Sequence, residues 1–195
     1  RDLDVKNGGA GNNNYIFSPK FTYNLVNGGS DSGSWMSSGW SIAQQHGCAT
    51  WTDWPYDSDY RGWPLVPSIY RNAINYRAQS QGSINSVDTN AGLTNIKTYL
   101  NNGYILSFAT NVYAWQFKAI GNDPGTAADD AFVGKNACYW LGSGGGGHSM
   151  TIVGYNDDIW IDINSNGTVD SGEKGALRIC NSWGTGWYEG GFTWL

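Results

Sequence analysis

His148 and Asn181 are the side chains in this sequence best suited to moving a proton. His148 stands behind a glycine run and opens a short apolar stretch, residues 149–155 (SMTIVGY), bounded by Asn156-Asp157-Asp158. Asn181 closes an alternating stretch, residues 176–180 (ALRIC), and begins an Asn-Ser-Trp-Gly turn. Both stretches have the length and pattern of β-strands. Paired antiparallel as a long hairpin, they bring His148, at the start of one strand, near Asn181, at the end of the other. An Asn carbonyl that accepts from one imidazole nitrogen fixes the tautomer and the ring orientation. The other nitrogen is then left to exchange a proton with a nucleophile. Trp183 is placed to shield that bond from water. Taken singly, each residue has a plainer reading: a His capping a strand and an Asn starting a turn.

A second chemistry lies between the two strands. Residues 162–173 (DINSNGTVDSGE) match the twelve-residue calcium loop at every constrained position. Asp162, Asn164, Asn166, the Thr168 carbonyl, Asp170 and Glu173 supply oxygens, and Gly167 permits the sharp turn. The flanks are strand-like, so the expectation is a Ca2+ loop in a β-hairpin, without the usual helix pair. The donor set has modest charge, which sets an expected affinity of roughly 10⁻⁵ to 10⁻³ M. A polar hairpin loop holding no ion is the alternative. The sequon Asn166-Gly167-Thr168 reads as ligand geometry, not as a glycan site.

The elements that must position these residues are drawn from a chain of 195 residues with a net charge of −5, 28 glycines, 11 tryptophans and 14% charged residues. That length buries one sizeable core or two lobes. Low charge with abundant Gly, Asn and aromatic residues reads as a secreted or cell-surface protein. The acidic balance argues against a nucleic-acid or anionic-membrane partner, and no apolar run is long enough to span a bilayer. The three cysteines, Cys48, Cys138 and Cys180, leave at least one thiol unpaired within the chain. Cys180 reads as a small buried residue inside a strand. Cys138, ten residues before His148, is expected on a neighbouring strand.

In order along the chain, residues 1–14 read as loop. Ser18 and Pro19 open a helix running to about Val26. A helix over residues 37–46 is closed by Gly47. Residues 67–78 and 92–101 suggest helices, and 104–108 (YILSF) a strand. Residues 111–120 are aromatic and ambiguous. Residues 131–141 suggest a strand leading into the glycine run 142–147, which lacks the Lys-Ser/Thr of a phosphate-binding loop.

Gly147-His148-Ser149-Met150, Ile152-Val153-Gly154-Tyr155 and Asn181-Ser182-Trp183-Gly184-Thr185-Gly186-Trp187 together resemble the C-terminal half of papain-like cysteine peptidases, the cathepsin family. The resemblance implies an α+β, two-lobe fold. Residues 1–103 would be the remainder of a helical lobe lacking its central helix, and residues 104–195 an antiparallel β-barrel lobe. It implies His148 as general base and acid, Asn181 as its orienting partner and Trp183 as cover. Residues 29–36 resemble the family's Cys-x-Gly-Gly turn in degraded form. Asp31 stands where the Cys would be and Ser34 where the second Gly would be. Gly33, Ser34, Trp35, Met36 and Gly147 are the implied substrate-binding positions, with Trp35 equally readable as a core anchor. Residues 47–56 resemble a structural segment of the family, which gives Cys48 a structural slot.

The family nucleophile is a Cys in a Gln…Gly-x-Cys-Trp segment at the head of the central helix, upstream of the Ser-Pro helix start. Residues 1–17 contain neither Cys nor Gln. The resemblance therefore implies an extracellular cysteine endopeptidase acting on protein or peptide substrates. Its catalytic Cys would lie on an N-terminal segment or a companion chain. The alternative is a catalytically inactive papain-like scaffold serving as a binding or structural module of a surface assembly.

Overall fold

The computed structural model describes residues 12–195. Most of the loop expected over residues 1–14 lies outside the described residues. The chain divides into two compact units, with the break between Ser83 and Ile84.

In the first unit, α1 (Pro19–Val26) begins as the sequence suggests. The Ser18 hydroxyl accepts from the Phe21 N–H at 3.3 Å, and Pro19 occupies the first helical position, where a missing N–H costs nothing. Phe21 is fully buried and forms a small core with Ala49 and Ala73. The polar residues buried on α1 and at its C-cap, Asn27, are each tied to the loop 57–62. Asn24 Nδ2 donates to the carbonyls of Asp59 (2.9 Å) and Gly62 (2.7 Å), and Asn27 Nδ2 to that of Tyr60 (2.7 Å). The buried Lys20 ammonium pairs with Asp57 at 2.5 Å and sits over the Trp54 ring.

Helix α2 (Met36–Gln45) is followed by Gly47 at φ +84°, where a Cβ would lie 1.8 Å from the Ala73 carbonyl oxygen. Only glycine fits that close approach. Helix α3 (Pro67–Ala73) is shorter than the expected 67–78, because residues Ile74–Tyr76 tighten into a 3₁₀ turn and Arg77 is extended.

The second unit contains α4 (Asn90–Asn101), capped by the Thr89 hydroxyl accepting from Gly92 N–H, and six strands. These are β1 (Leu106–Asn111), β2 (Gln116–Ala119), β3 (Asn136–Trp140), β4 (Gly147–Trp160), β5 (Lys174–Cys180) and β6 (Phe192–Trp194). Their order in the sheet is β1-β4-β5-β6-β3-β2. The expected antiparallel barrel is thus corrected to an open mixed sheet, since β3 and β6 pair in parallel and β1 and β2 form the two edges. Only residues 112–115 join those edges, so the sheet must curl until they lie within about 18 Å. Closure stops there. Val112 and Trp115 turn into the core, and Trp115 Nε1 donates to Thr110 Oγ1 at 2.8 Å.

The break between the two units falls before α4. Ile96 of α4 is part of the sheet's core, Lys97 is ion-paired with Asp157, and Asn101 Nδ2 donates to the Tyr155 hydroxyl at 3.0 Å. At the centre of that core, Ile179 on β5 is fully buried among Cys138, Met150 and Ile152. Replacing it with Ala leaves a cavity, with an expected loss of about 2–5 kcal/mol in urea unfolding. A loss below about 1 kcal/mol would mean that the core collapses around the gap.

Candidate active site

The β4–β5 pairing brings the proposed proton-transfer pair together. Thr151 is opposite Cys180, so Asn181 emerges from β5 close to His148 on β4. His148 Nε2 and Asn181 Oδ1 are 2.8 Å apart. The Ser182 backbone N–H also points at Asn181 Oδ1, at 2.7 Å. An amide nitrogen there would face a donor, so the atom is the carbonyl oxygen and His148 Nε2 must carry the proton that it accepts. In neutral His148, Nδ1 is then the basic nitrogen. Among the described residues it has no hydrogen-bond partner. The Trp183 ring lies 4.6 Å from the imidazole, tilted by 31°, and covers the bond.

Behind His148 the glycine run passes against Tyr113. A Cβ on Gly146 would lie 2.9 Å from the Tyr113 ring, and Gly145, at φ +90°, is nearly as close to its Cβ. Tyr113 in turn stacks on Trp183 at 6.1 Å, though three-quarters of it is exposed. Sequence reading left Tyr113 in an ambiguous stretch. The adjacent glycine run was the available signal that a large ring packs there. Gly147, the first residue of β4, is exposed with open space around its Cα.

The other implied substrate-binding positions, Gly33, Ser34, Trp35 and Met36, lie in the first unit. Trp35 is 82% exposed, which removes the core-anchor reading. Asp31, where the family pattern has a Cys, accepts from the Tyr23 hydroxyl at 2.8 Å, and that hydroxyl accepts from Gly33 N–H at 3.3 Å.

All three thiols are free. Cys138 is not on the strand beside His148, because β5 and β6 lie between β3 and β4. It is buried, and burial pushes its thiol up to about 11. Burial also raises the Cys48 thiol.

In the loop 162–173 the oxygens already hold N–H donors. Asp162 accepts from Asn166 N–H (3.0 Å) and Gly167 N–H (2.9 Å), and Asn166 Oδ1 from Thr168 N–H (2.8 Å). Asp170 accepts from the side-chain amides of Asn164 and Asn166, both at 2.8 Å, and these bonds lower its pKa. Buried Glu173 accepts from Trp160 Nε1 at 3.1 Å and from Ile163 N–H at 2.8 Å, again lowering its pKa. Lys118 Nζ binds the Asp162 and Ile163 carbonyls from outside the loop. Among the described residues no three His, Cys, Asp or Glu side chains form a metal-binding cluster. An ion here would therefore depend on the amide and backbone oxygens as well as on the carboxylates. The donor set is all oxygen, which fits a hard cation.

No protein-family model matches the chain, and no curated protein matches it in sequence. Its fold is that of papain-like cysteine proteases, as three solved structures show. Xylellain, a cysteine protease from Xylella fastidiosa, superposes with a TM-score of 0.59 at 18% identity, over 98% of this chain and 67% of its own. The proform of Amb a 11, a cysteine protease and ragweed pollen allergen, gives 0.56 at 16%, over 92% and 46%. Bromelain from Ananas comosus, in complex with the E64 inhibitor, gives 0.54 at 14%, over 98% and 72%. The chain thus spans under half of the Amb a 11 proform and about two thirds to three quarters of the other two.

The buried thiol gives a direct check. With a pKa near 11, on the order of one part in a thousand of Cys138 is thiolate at pH 8. Iodoacetamide should therefore leave Cys138 unmodified in native protein and label it in urea. Peptide mapping that finds Cys138 among the first sites alkylated would refute this.

Proposed function

We propose that this chain is the base-bearing part of an extracellular papain-like cysteine endopeptidase. The His148 Nε2–Asn181 Oδ1 hydrogen bond of 2.8 Å carries the reading. Asn181 holds the imidazole in the tautomer whose Nδ1 accepts a proton. A thiol beside Nδ1 would be deprotonated and would attack the substrate carbonyl, giving a thioester acyl-enzyme. His148 would pass the proton to the leaving amine and then take one from the water that releases the acid. Trp183 keeps bulk water from competing for the Asn181 carbonyl.

None of Cys48, Cys138 and Cys180 is assigned as that thiol. The nucleophile would come from a segment or companion chain beyond this sequence. Gly33, Ser34, Trp35, Met36 and Gly147 are proposed to contact substrate. The exposure of Trp35 and Gly147 supports that role.

The test is a thiol-reactive peptidyl probe applied to native protein from its full-length source, with the modified residue mapped by mass spectrometry. A labelled Cys outside the present sequence is the expected result. Labelling at Cys138 would overturn the assignment of the nucleophile. No labelling anywhere would leave the inactive scaffold, a binding or structural module of a surface assembly.

We also propose that the loop of Asp162, Asn164, Asn166, Thr168, Asp170 and Glu173 holds Ca2+ and braces the tip of the β4–β5 hairpin. At roughly 10⁻⁴ M affinity, about 2 mM calcium stabilises the fold by about 2 kcal/mol. The melting temperature should fall by several degrees on chelation. The effect should persist through the ordinary carboxylate range and fade only as pH falls below it and Asp170 and Glu173 protonate, because their hydrogen bonds favour the charged forms. A melting temperature indifferent to chelator at neutral pH would rule the ion out.

A further inference from the structure

Asn181 orients His148 only if something orients Asn181. It follows the last residue of β5 and opens the loop that returns at β6. The loop closes on itself at its base: Asn181 N–H donates to the Gly191 carbonyl at 3.0 Å, and Gly191 N–H to the Trp187 carbonyl at 2.7 Å. The return limb is in an unfavourable backbone conformation. Tyr188 has φ +39°, a region that a side chain with a Cβ rarely enters, and Gly190 and Gly191 follow at +68° and +96°. Such a conformation persists only where surrounding contacts impose it. A Cβ on Gly191 would stand 3.2 Å from the Gly184 carbonyl oxygen, so this limb lies directly on the Asn181 side of the loop.

One ion pair is placed to impose it. Glu189, within the strained limb, accepts from Arg178 Nη1 at 2.9 Å, and both side chains are about four-fifths buried. Arg178 is anchored on β5, three residues before Asn181, and its guanidinium is packed over the rings of Trp194 and Phe192. Glu189 N–H donates to the Phe192 carbonyl at 2.9 Å, and the Lys135 ammonium lies 3.7 Å from its carboxylate. A buried carboxylate is stable only when paired. The limb therefore cannot move away from β5 without stranding the charge.

We propose that Arg178 and Glu189 are positioning residues for the proton-transfer pair, holding the return limb so that Gly191 fixes Asn181 and Asn181 fixes the His148 tautomer. The inference rests on the reading of His148 and Asn181 as that pair, but its test requires no nucleophile and no turnover. The chain contains two histidines, His46 and His148, so the imidazole nitrogens of ¹⁵N-labelled protein separate readily by long-range ¹H–¹⁵N correlation. His46, in the first unit, is the internal reference. Spectra are taken well above pH 6.5, where an ordinary imidazole is neutral.

In the unaltered chain His148 should show the Nε2–H tautomer alone. Glu189→Ala, and Glu189→Gln with the same shape but no charge, should add signals of the Nδ1–H tautomer at His148, with His46 unchanged and the fold retained by circular dichroism. Where Glu189→Ala fails to fold, Glu189→Gln decides. Arg178→Lys, which keeps the charge, should retain the single tautomer. If the folded glutamate variants melt earlier yet keep His148 wholly Nε2–H, the pair is merely structural and the proposal fails. If the unaltered chain already mixes tautomers, the His148–Asn181 reading itself fails, whatever Glu189 does.

Discussion

The register between β4 and β5 is the constraint on which the site depends. Side chains alternate across a strand, so a slip of one residue would send either His148 or Asn181 to the opposite face. The register is not uniform. Tyr155 pairs with Leu177 and Gly154 with Arg178, but Ile152 then pairs with Ile179 and Thr151 with Cys180. The extra residue on β4 is Val153. Without that bulge, continued pairing would set Asn181 opposite Thr151. With it, Asn181 falls opposite Met150, one residue nearer to His148. Bulges of this kind re-aim side chains next to functional sites. The same rung puts Met150, Ile152 and Ile179 into the core, so burial of their apolar surface holds the polar pair in place.

What the sequence made legible was local. Ser18-Pro19 and Gly47 act within a turn of their own helices, and the structure has them as a cap and a helix stop. His148 and Asn181 were legible because a single hairpin joins them, so that their proximity follows from the strand pattern alone. The strand order was not. The parallel pairing of β3 with β6 joins Ala137 to Trp194 across about half the length of the unit, and no periodicity in either segment announces it. That pairing separates Cys138 from His148 and makes the sheet mixed. Residues 111–120 were ambiguous for a different reason. They split into a 3₁₀ turn, a buried Trp and a four-residue strand, each too short to show a period. Glu189 was illegible as well, since its partner Arg178 is drawn in by the fold of the loop.

The aromatic residues around the site form a continuous set. Tyr113 stacks on Trp183, Trp183 meets Trp187 edge-on, Trp187 meets Tyr188, and Tyr188 stacks on Phe117 at 4.6 Å. Rings of this size contribute apolar area with few rotatable bonds, so they add rigidity as well as burial. They also explain how Tyr188 holds its left-handed backbone. Its ring is fixed between Trp187 and Phe117 while the Arg178–Glu189 pair holds the next residue.

The two ends of the β4–β5 hairpin solve opposite electrostatic problems. At the His148 end, one hydrogen bond joins the imidazole to Asn181, with the Trp183 ring packed on the imidazole. At the other end, Asp162, Asp170 and Glu173 lie along one turn. Backbone and side-chain N–H groups bind all three, and for Asp170 and Glu173 these bonds favour the charged form. The turn is therefore formed, with Asp170 and Glu173 favoured in their charged forms, before any cation arrives. A cation bound there would add to a structure that already exists. It would add stability to the hairpin tip without being needed to set the register that joins His148 to Asn181. That register is fixed farther down, by the Val153 bulge and by the buried side chains on either side of it.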